Sequence, residues 1–351
     1  MTAYTTLVAP RSPVGVSPEV SNAFATLGKY CYALLWFLLA GCQSWPRETA
    51  AKPTTRLQPH LGTFVTVTVY AKTKKAQAAI NAAFDEFRAV DALLSIHRDD
   101  SALAQANAGG IANKELQTII RQSLAIARDT DGAFDPTIRP LAQLWGFVKK
   151  EGYRLPQESE LDKVLPLVDY RKITVQNNRF VFRTQGMSID SGGFGKGYAV
   201  DRAITALQRH GITNAMVKAG GDLRVIGLPP GQPHWTIFIE DPKKKGQRVA
   251  VHLKSGAMST SGNYENFFEA DGRRYGHLLD PRTGQPVQGL AACTLTAPTC
   301  LESDAYATAA CILGFEKSVK QFGSRYGMRF VLLPNEGGMK VAITKQFPAT
   351  Q

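Results

Sequence analysis

The 351-residue sequence predicts an α+β fold, and three observations support this prediction. Alternating β-branched residues at 61–70 indicate a strand, and the next segment, 73–94, has the apolar periodicity of a long amphipathic helix. The later strands come in hairpin-like groups, without the strict strand–helix alternation of a doubly wound sheet. The hydrophobic content of 44% is typical of a globular protein with a substantial core.

The N-terminal region has the features of an export signal. An apolar run at 30–40 follows Lys29; it is too short to span a bilayer but has the length of a signal-peptide hydrophobic region. It ends in Leu-Ala-Gly-Cys, which resembles the bacterial lipobox, whose cysteine is lipidated and becomes the mature N-terminus. We therefore predict a lipoprotein signal at 1–42 with Cys42 as the lipidation site, and a start closer to Lys29 would give this signal a more ordinary length. The alternative is a buried apolar helix.

The remaining elements follow from composition and periodicity. Residues 43–57 are polar with two prolines and predict a tether, the folded domain is expected at 58–345, and 346–351 would form a C-terminal tail. Further helices are predicted at 114–130, 198–210 and 302–313. Strands are predicted at 179–183, 215–218, 223–226, 235–239, 249–253, 291–296, 329–333 and 340–343. Segments 95–110 and 131–137 are predicted as a loop and a helix-ending turn.

Charge and cysteine content exclude several classes of protein. The net charge of +12 comes from 41 basic and 29 acidic residues, but these form no basic stripe with interleaved aromatic residues. The run Lys243–Lys245 follows a turn-like Asp-Pro pair, so we predict no nucleic-acid partner. A diffuse positive charge is compatible with an anionic small molecule. The five cysteines include no C-x-x-C pair, which argues against a zinc site or a thioredoxin-like motif.

A glycine-rich segment begins at Asp190 and has glycines at 192, 193, 195 and 197. Glycines let the backbone approach a ligand closely, and a helix N-terminus suits phosphate. Lys196 adds a full positive charge. The spacing matches neither the P-loop nor the dinucleotide-binding fingerprint. Two interpretations are therefore open here: a phosphate-binding loop, and an ordinary strand-to-helix turn that needs small residues.

Two further features combine residue types that carry chemistry. Asp304 and Thr308 are four residues apart on a predicted helix, so they share one face; a carboxylate with a hydroxyl suits a hard cation such as Mg²⁺. The alternative for Asp304 is the general preference for acids near a helix N-terminus. His277 can accept a proton near neutral pH, although a structural histidine beside a turn has the same signature.

Seven motifs in a fixed order extend this pattern, and together they resemble those of the FAD:protein FMN transferases, the ApbE-type flavin transferases. They lie at 62–63, 131–137, 190–202, 214–222, 259–265, 275–284 and 297–308, and the resemblance spans about residues 57–345. The family consists of bacterial envelope enzymes, often lipoproteins. The resemblance implies an ApbE-like, T-fold-related mixed sheet architecture with two subdomains around a flavin cleft.

The resemblance also implies roles for individual residues. The substrate FAD would contact Leu61, Ala133, Phe134, Asp135, Asp190, Lys196 and His277. Mg²⁺ would be held by Asp304, Thr308 and the backbone carbonyl of Gly193, and His277 matches the histidine for which a catalytic role is proposed. The implied reaction is phosphoryl transfer, in which a threonine or serine hydroxyl of a target protein attacks the FMN phosphorus and AMP leaves.

Three positions depart from the usual family pattern. Leu61, Ser191 and Asn263 stand where Met, Leu and Asp are usual, and none of these changes removes a proposed catalytic group. Leucine can fill the volume of methionine, so we expect a small change in flavin binding at Leu61.

The resemblance leaves two alternative functions open. One is a Mg²⁺-dependent FAD pyrophosphatase, in which water replaces the threonine and the products are FMN and AMP. The other is a periplasmic FAD-binding lipoprotein without activity, although intact Asp304, Thr308, Lys196 and His277 argue against it. As a transferase, the protein would modify acceptor flavoproteins such as subunits of respiratory redox pumps. It would be anchored in the bacterial envelope by an N-terminal lipid and face the periplasm.

Overall fold

The computed structural model describes residues 52–148, 152–241, 246–263, 266–333 and 338–350. The predicted signal with Cys42, most of the predicted tether, and the run Lys243–Lys245 lie outside the described residues. No helix in the described part combines the length and the apolar character that crossing a membrane requires.

The fold consists of the following strands and helices. The strands are β1 (Thr54–His60), β2 (Thr63–Val69), β3 (Ile173–Gln176), β4 (Arg179–Phe182), β5 (Ala215–Ala219), β6 (Asp222–Ile226), β7 (Trp235–Glu240), β8 (Arg248–Leu253), β9 (Gly256–Gly262), β10 (Phe267–Ala270), β11 (Arg273–Gly276), β12 (Leu290–Ala297), β13 (Gly327–Leu332) and β14 (Lys340–Ile343). The helices are α1 (Thr73–Leu94), α2 (Ala102–Asn107), α3 (Lys114–Asp129), α4 (Arg139–Leu144), α5 (Glu158–Val164), α6 (Gly195–Arg209), α7 (Cys300–Leu313) and α8 (Phe315–Phe322).

An eight-stranded sheet in the order β1-β2-β5-β6-β9-β12-β13-β14 organises the fold, which confirms the predicted α+β class. Every strand pairing among the described residues is antiparallel. On one face of the sheet, α6 packs against α1 and α7, and α7 packs on β9 and β12. The main hydrophobic core lies there, because alternate strand residues such as Val65 and Val67 point towards these helices.

The opposite face of the sheet is partly covered by the β7–β8 hairpin. Trp235 and Val251 of this hairpin form a second core cluster with Leu223 and Met258 of the sheet. Phe347 belongs to the same cluster and is only 7% exposed, and the His252 backbone N–H donates a hydrogen bond to the Ala349 carbonyl at 3.0 Å. Residues 347–350 of the predicted C-terminal tail are thus attached to the β7–β8 hairpin through the Phe347 side chain and the pairing of Thr350 with Val251.

The bounds of the most strongly periodic segments agree with the prediction, and where the observed elements differ from the predicted ones there is a physical reason. The helix prediction at 73–94 and the strand prediction at 340–343 match α1 and β14. Strand β1 begins at Thr54, inside the predicted tether, and contains Pro59, which an edge strand tolerates. Helix α2 lies in the predicted loop 95–110 and begins where the Ser101 hydroxyl caps the Ala104 N–H. Helix α6 begins at Gly195 instead of 198, so its glycines form its first turn.

A third, aromatic cluster lies beside the main core. Trp145 and Phe147 pack against Phe268 of β10 and Tyr275 of β11, with Leu279 also buried in this cluster. This cluster and the helical face of the main core leave a cavity between them.

Candidate active site

The cavity has a volume of about 320 Å³, within the range of small-molecule sites. Its wall is built from the turn after α3, the loop before α6, the β5–β6 turn, the end of β9, the segment after β11, and α7. The predicted site residues that line it are Ala133, Phe134, Asp135, Asp190, Gly193, Lys196, His277, Asp304 and Thr308. The structure thus brings together groups that are up to 175 positions apart in sequence (308 − 133).

Leu61 is not among the residues that line this cavity. It occupies the turn between β1 and β2 with a φ of 50°, and its side chain packs against the main core. Its contact with flavin stays a prediction.

The crossing of α6 and α7 explains one of the glycines and fixes the position of Asp304. A Cβ at Gly197 would lie 2.3 Å from the Cys300 carbonyl oxygen, so no other residue allows the two helices to approach this closely. At the crossing, the Gly197 backbone N–H donates a hydrogen bond of 3.0 Å to Asp304 Oδ2. Asp201 of α6 accepts hydrogen bonds of 2.9 Å from the backbone N–H groups of Cys300 and Leu301, which caps α7.

Gly197 therefore serves helix packing within the first turn of α6, whereas other glycines of the segment line the cavity. Gly192 and Gly193 both line the cavity wall. A Cβ at Gly193 would lie 3.1 Å from the Phe134 ring and 3.7 Å from Thr308 Oγ1, which places its backbone beside the predicted cation ligands.

Lys196 lies between two buried carboxylates in this cavity. Its Nζ is 2.7 Å from Asp222 Oδ2 and 3.5 Å from Asp304 Oδ2. Asp222 ends the motif at 214–222 and is not among the residues to which the resemblance gives a role; the structure shows it 2% exposed and lining the cavity. The signal that could have identified it is the Gly220-Gly221 turn, which mirrors the glycines after Asp190.

One ammonium does not compensate two buried carboxylates. Burial raises the pKa of Asp304 to about 7, and the neighbouring Asp222 carboxylate contributes to this increase. Burial lowers the pKa of Lys196, but the attraction of Asp222 and Asp304 together outweighs it, so this pKa lies above its usual value. Lys196 therefore stays charged, and Asp304 would gain from a second cation.

The groups around Asp304 fit Mg²⁺. They are oxygen donors: the Asp304 carboxylate, the Thr308 hydroxyl and the nearby backbone of Gly193. The Ser261 hydroxyl lies 3.3 Å from Thr308 Oγ1 and orients it. Within the described ranges, no group of three or more His, Cys, Asp or Glu side chains is arranged to hold a metal. Mg²⁺ needs only one or two carboxylates, because water and substrate phosphates complete its coordination.

Asp135 and Asp190 shape the cavity wall through hydrogen bonds to the backbone. Asp135 accepts hydrogen bonds from the Thr137 N–H at 2.8 Å, the Thr137 hydroxyl at 2.7 Å and the Tyr170 N–H at 2.9 Å. Asp190 Oδ1 accepts one from the Gly192 N–H at 2.7 Å. Burial raises the pKa of both carboxyls, and these hydrogen bonds oppose the increase. Both acids therefore hold turns that the cavity requires.

His277 lies on the other side of the cavity, against the aromatic cluster. Its Nδ1 is 3.1 Å from the Asn266 carbonyl oxygen, and its ring meets the Phe147 ring edge-on at 6.4 Å between centroids. A carbonyl only accepts hydrogen bonds, so this contact assigns the proton of the neutral ring to Nδ1 and the lone pair to Nε2. No sequence pattern singles out Asn266, because its contribution is a backbone carbonyl.

Comparisons with known proteins show which family the chain resembles in sequence and fold. A model of the ApbE family matches residues 61–332. The chain is 31% identical over 329 residues to an FAD:protein FMN transferase of Salmonella typhimurium, covering 89% of this chain and 93% of that protein.

Solved structures show the same similarity. The ApbE protein of Thermotoga maritima superposes with a TM-score of 0.77 at 32% identity, covering 84% of this chain and 97% of that one. The apo form of the flavinyl transferase ApbE of Pseudomonas stutzeri superposes with a TM-score of 0.76 at 30% identity, covering 85% of this chain and 98% of that one.

Proposed function

Because this chain belongs to the ApbE family, we propose that it transfers FMN from FAD to a threonine or serine hydroxyl of a target flavoprotein and releases AMP. The observation that carries the proposal is that Lys196, His277, Asp304 and Thr308 line one cavity. A positive charge, a proton acceptor and a hard-cation site are what phosphoryl transfer to a hydroxyl requires.

The proton acceptor and the positively charged groups lie on opposite sides of the cavity. Nε2 of His277 accepts the proton of the attacking hydroxyl while the new oxygen–phosphorus bond forms and the bond to the AMP phosphate breaks. On the opposite side, the Lys196 ammonium stabilises the charge that develops on the pyrophosphate oxygens. Mg²⁺, when held by Asp304, Thr308 and the Gly193 carbonyl, would neutralise further charge on the same phosphate oxygens.

The proposal is tested with the body of the protein, residues 43–351, which omits Cys42. It is incubated with FAD, Mg²⁺ and an acceptor domain, for example from a respiratory redox-pump subunit. An FMN-sized mass gain on the acceptor that EDTA abolishes supports the transferase and its metal together. Release of FMN and AMP without a mass gain would favour the pyrophosphatase instead. FAD that stays bound and intact would favour a binding protein.

We also propose that Cys42 carries the lipid that anchors the protein to the envelope, facing the periplasm. The apolar run before Leu-Ala-Gly-Cys supports this, and the first strand begins twelve residues after Cys42 (54 − 42), at Thr54. The measurement is fractionation of cells that produce the full chain or Cys42→Ser. The wild type should sediment with membranes and incorporate labelled palmitate, and the variant should do neither. Equal labelling of both would contradict the proposal.

A further inference from the structure

Lys196 contacts its two carboxylate neighbours unequally. Charge-assisted N–H···O hydrogen bonds are about 2.7–2.9 Å long. The 2.7 Å distance to Asp222 Oδ2 is such a bond, whereas the 3.5 Å distance to Asp304 Oδ2 is longer than one. The ammonium is therefore held by Asp222, the carboxylate that has no role in the reaction described above.

Asp222 is held rigidly enough to determine where Lys196 lies. It begins β6 directly after the β5–β6 turn, pairs with Ala219 across that turn and lies opposite Ser259 of β9. Gly220 has a φ of +58°, and a Cβ at Gly221 would lie 3.0 Å from a backbone carbonyl oxygen of β9, so both turn positions favour glycine. The aspartate is 2% exposed, which leaves its side chain little freedom.

Lys196 is the nearest competitor for a cation at Asp304. Lysine has a flexible four-carbon stem and three donors, so without a partner its ammonium would move to the nearest carboxylate. An ammonium hydrogen-bonded to Asp304 would neutralise that carboxylate and repel a divalent cation a few ångströms away. The hydrogen bond to Asp222 opposes this, because it holds the ammonium in the cavity at an ion-pair distance of 3.5 Å from Asp304 Oδ2, without a direct hydrogen bond to it.

We propose that Asp222 is a positioning residue that holds Lys196 away from Asp304 and thereby keeps Asp304 accessible to a divalent cation. This inference rests on the cation site of the proposed function. In this inference the Gly-Gly-Asp turn at 220–222 separates the Lys196 ammonium from the divalent cation, the two positive charges that would both contact the pyrophosphate.

The test measures Mg²⁺ binding by calorimetry on FAD-free protein at neutral pH. The proteins are wild type, Asp222→Asn, Lys196→Met, the double variant, and the exposed control Asp162→Asn. We expect Asp222→Asn to weaken Mg²⁺ binding by about tenfold or more, because Lys196 then moves to Asp304. Lys196→Met should bind Mg²⁺ more tightly than wild type. The double variant should bind Mg²⁺ within about threefold of wild type, since it lacks both the Asp222 carboxylate and the Lys196 ammonium that this carboxylate positions.

Each other outcome overturns the inference. If binding stays weak in the double variant, Asp222 acts directly on the cation and not through Lys196. If Asp222→Asn binds like wild type, Asp222 has no positioning role. Should Asp222→Asn fail to fold, Asp222→Ser takes its place and should weaken Mg²⁺ binding in the same way; wild-type binding by that variant overturns the inference. A wild type that binds no Mg²⁺ but still transfers FMN would remove this inference and leave the proposed function in place.

Discussion

Asp304 Oδ2 lies 3.0 Å from the backbone nitrogen of Gly197, so the first turn of α6 donates a hydrogen bond to a carboxylate of α7. This hydrogen bond crosses the closest contact between the two helices, where Gly197 faces the Cys300 carbonyl. The packing of these helices and the position of the cation ligand therefore depend on the same glycine.

Gly197→Ala should destabilise the protein by about 2–4 kcal/mol, because the new methyl group meets rigid backbone and the helices must separate. Urea unfolding followed by circular dichroism measures this. The matched control is Gly338→Ala, at an exposed position with open space around it, which should change stability by less than about 0.5 kcal/mol. Equal stability of the two variants would show that the close approach is not required.

Asp304→Asn should abolish Mg²⁺-dependent turnover while leaving the fold intact. The asparagine oxygen can still accept the hydrogen bond from Gly197, but the amide has no charge with which to hold the cation. The measurement is transfer rate against Mg²⁺ concentration, with Asp162→Asn as an exposed control. A normal Mg²⁺ dependence in Asp304→Asn would contradict the metal assignment.

His277→Ala should lower the transfer rate by about 10²–10⁴-fold and retain FAD binding, because the ring supplies the proton acceptor. Transfer is followed by the mass of the acceptor, and binding by the change in flavin fluorescence. His210→Ala, at the exposed end of α6, is the control and should behave like wild type. Transfer at the wild-type rate by His277→Ala would exclude His277 as the base.

The metal-free protein should lose stability as the pH rises from about 4 to about 7. The pKa of Asp304 is raised to about 7 in the folded protein. In this pH range the folded protein therefore keeps a proton on Asp304 that the unfolded chain has already released, and this difference lowers the free energy of unfolding as the pH rises. At about 1.4 kcal/mol per pKa unit, the contribution is at most about 4 kcal/mol, and it levels off above this range. Urea unfolding in EDTA, at about pH 5 and about pH 8, should show a larger decrease for wild type than for Asp304→Asn. Identical decreases would assign the effect to other groups.

Phe347→Ala should cost about 3 kcal/mol, since the ring is buried with Trp235 and Val251 in the second core cluster. The exposed Phe238→Ala, on the same hairpin, is the control and should cost much less. Thermal unfolding compares the two. A C-terminal segment that behaved as a loose tail would give no difference.

Local sequence signals predicted a large part of the fold and of the site. Helix α1 has a complete apolar stripe, and its predicted bounds are correct. The motif residues around Asp190, His277 and Asp304 were found because glycine, proline and charged groups stand out beside apolar segments.

The parts that were missed depend on contacts between distant segments. Strand β9 consists mainly of small residues with no alternation, and it is a strand because it pairs with both β6 and β12 beneath α7. The role of Asn266 is carried by its carbonyl, which any residue has. The partnership of Lys196 with Asp222 required the register between β5, β6 and α6, which no local pattern encodes.

The sheet order has a consequence for how the protein acquires its structure. Strand β2 pairs with β5, whose first residue is 146 positions after the last residue of β2 (215 − 69), and β9 lies between β6 and β12. Such non-local pairings slow folding, because a long loop must close before its contacts form. During synthesis, the loop before α6, Lys196 and His277 emerge before α7 does. The nascent chain then contains most of the cavity wall but not Asp304 and Thr308, the proposed cation ligands. The segment from residue 300 onwards therefore completes a cavity whose other wall residues have already been synthesised.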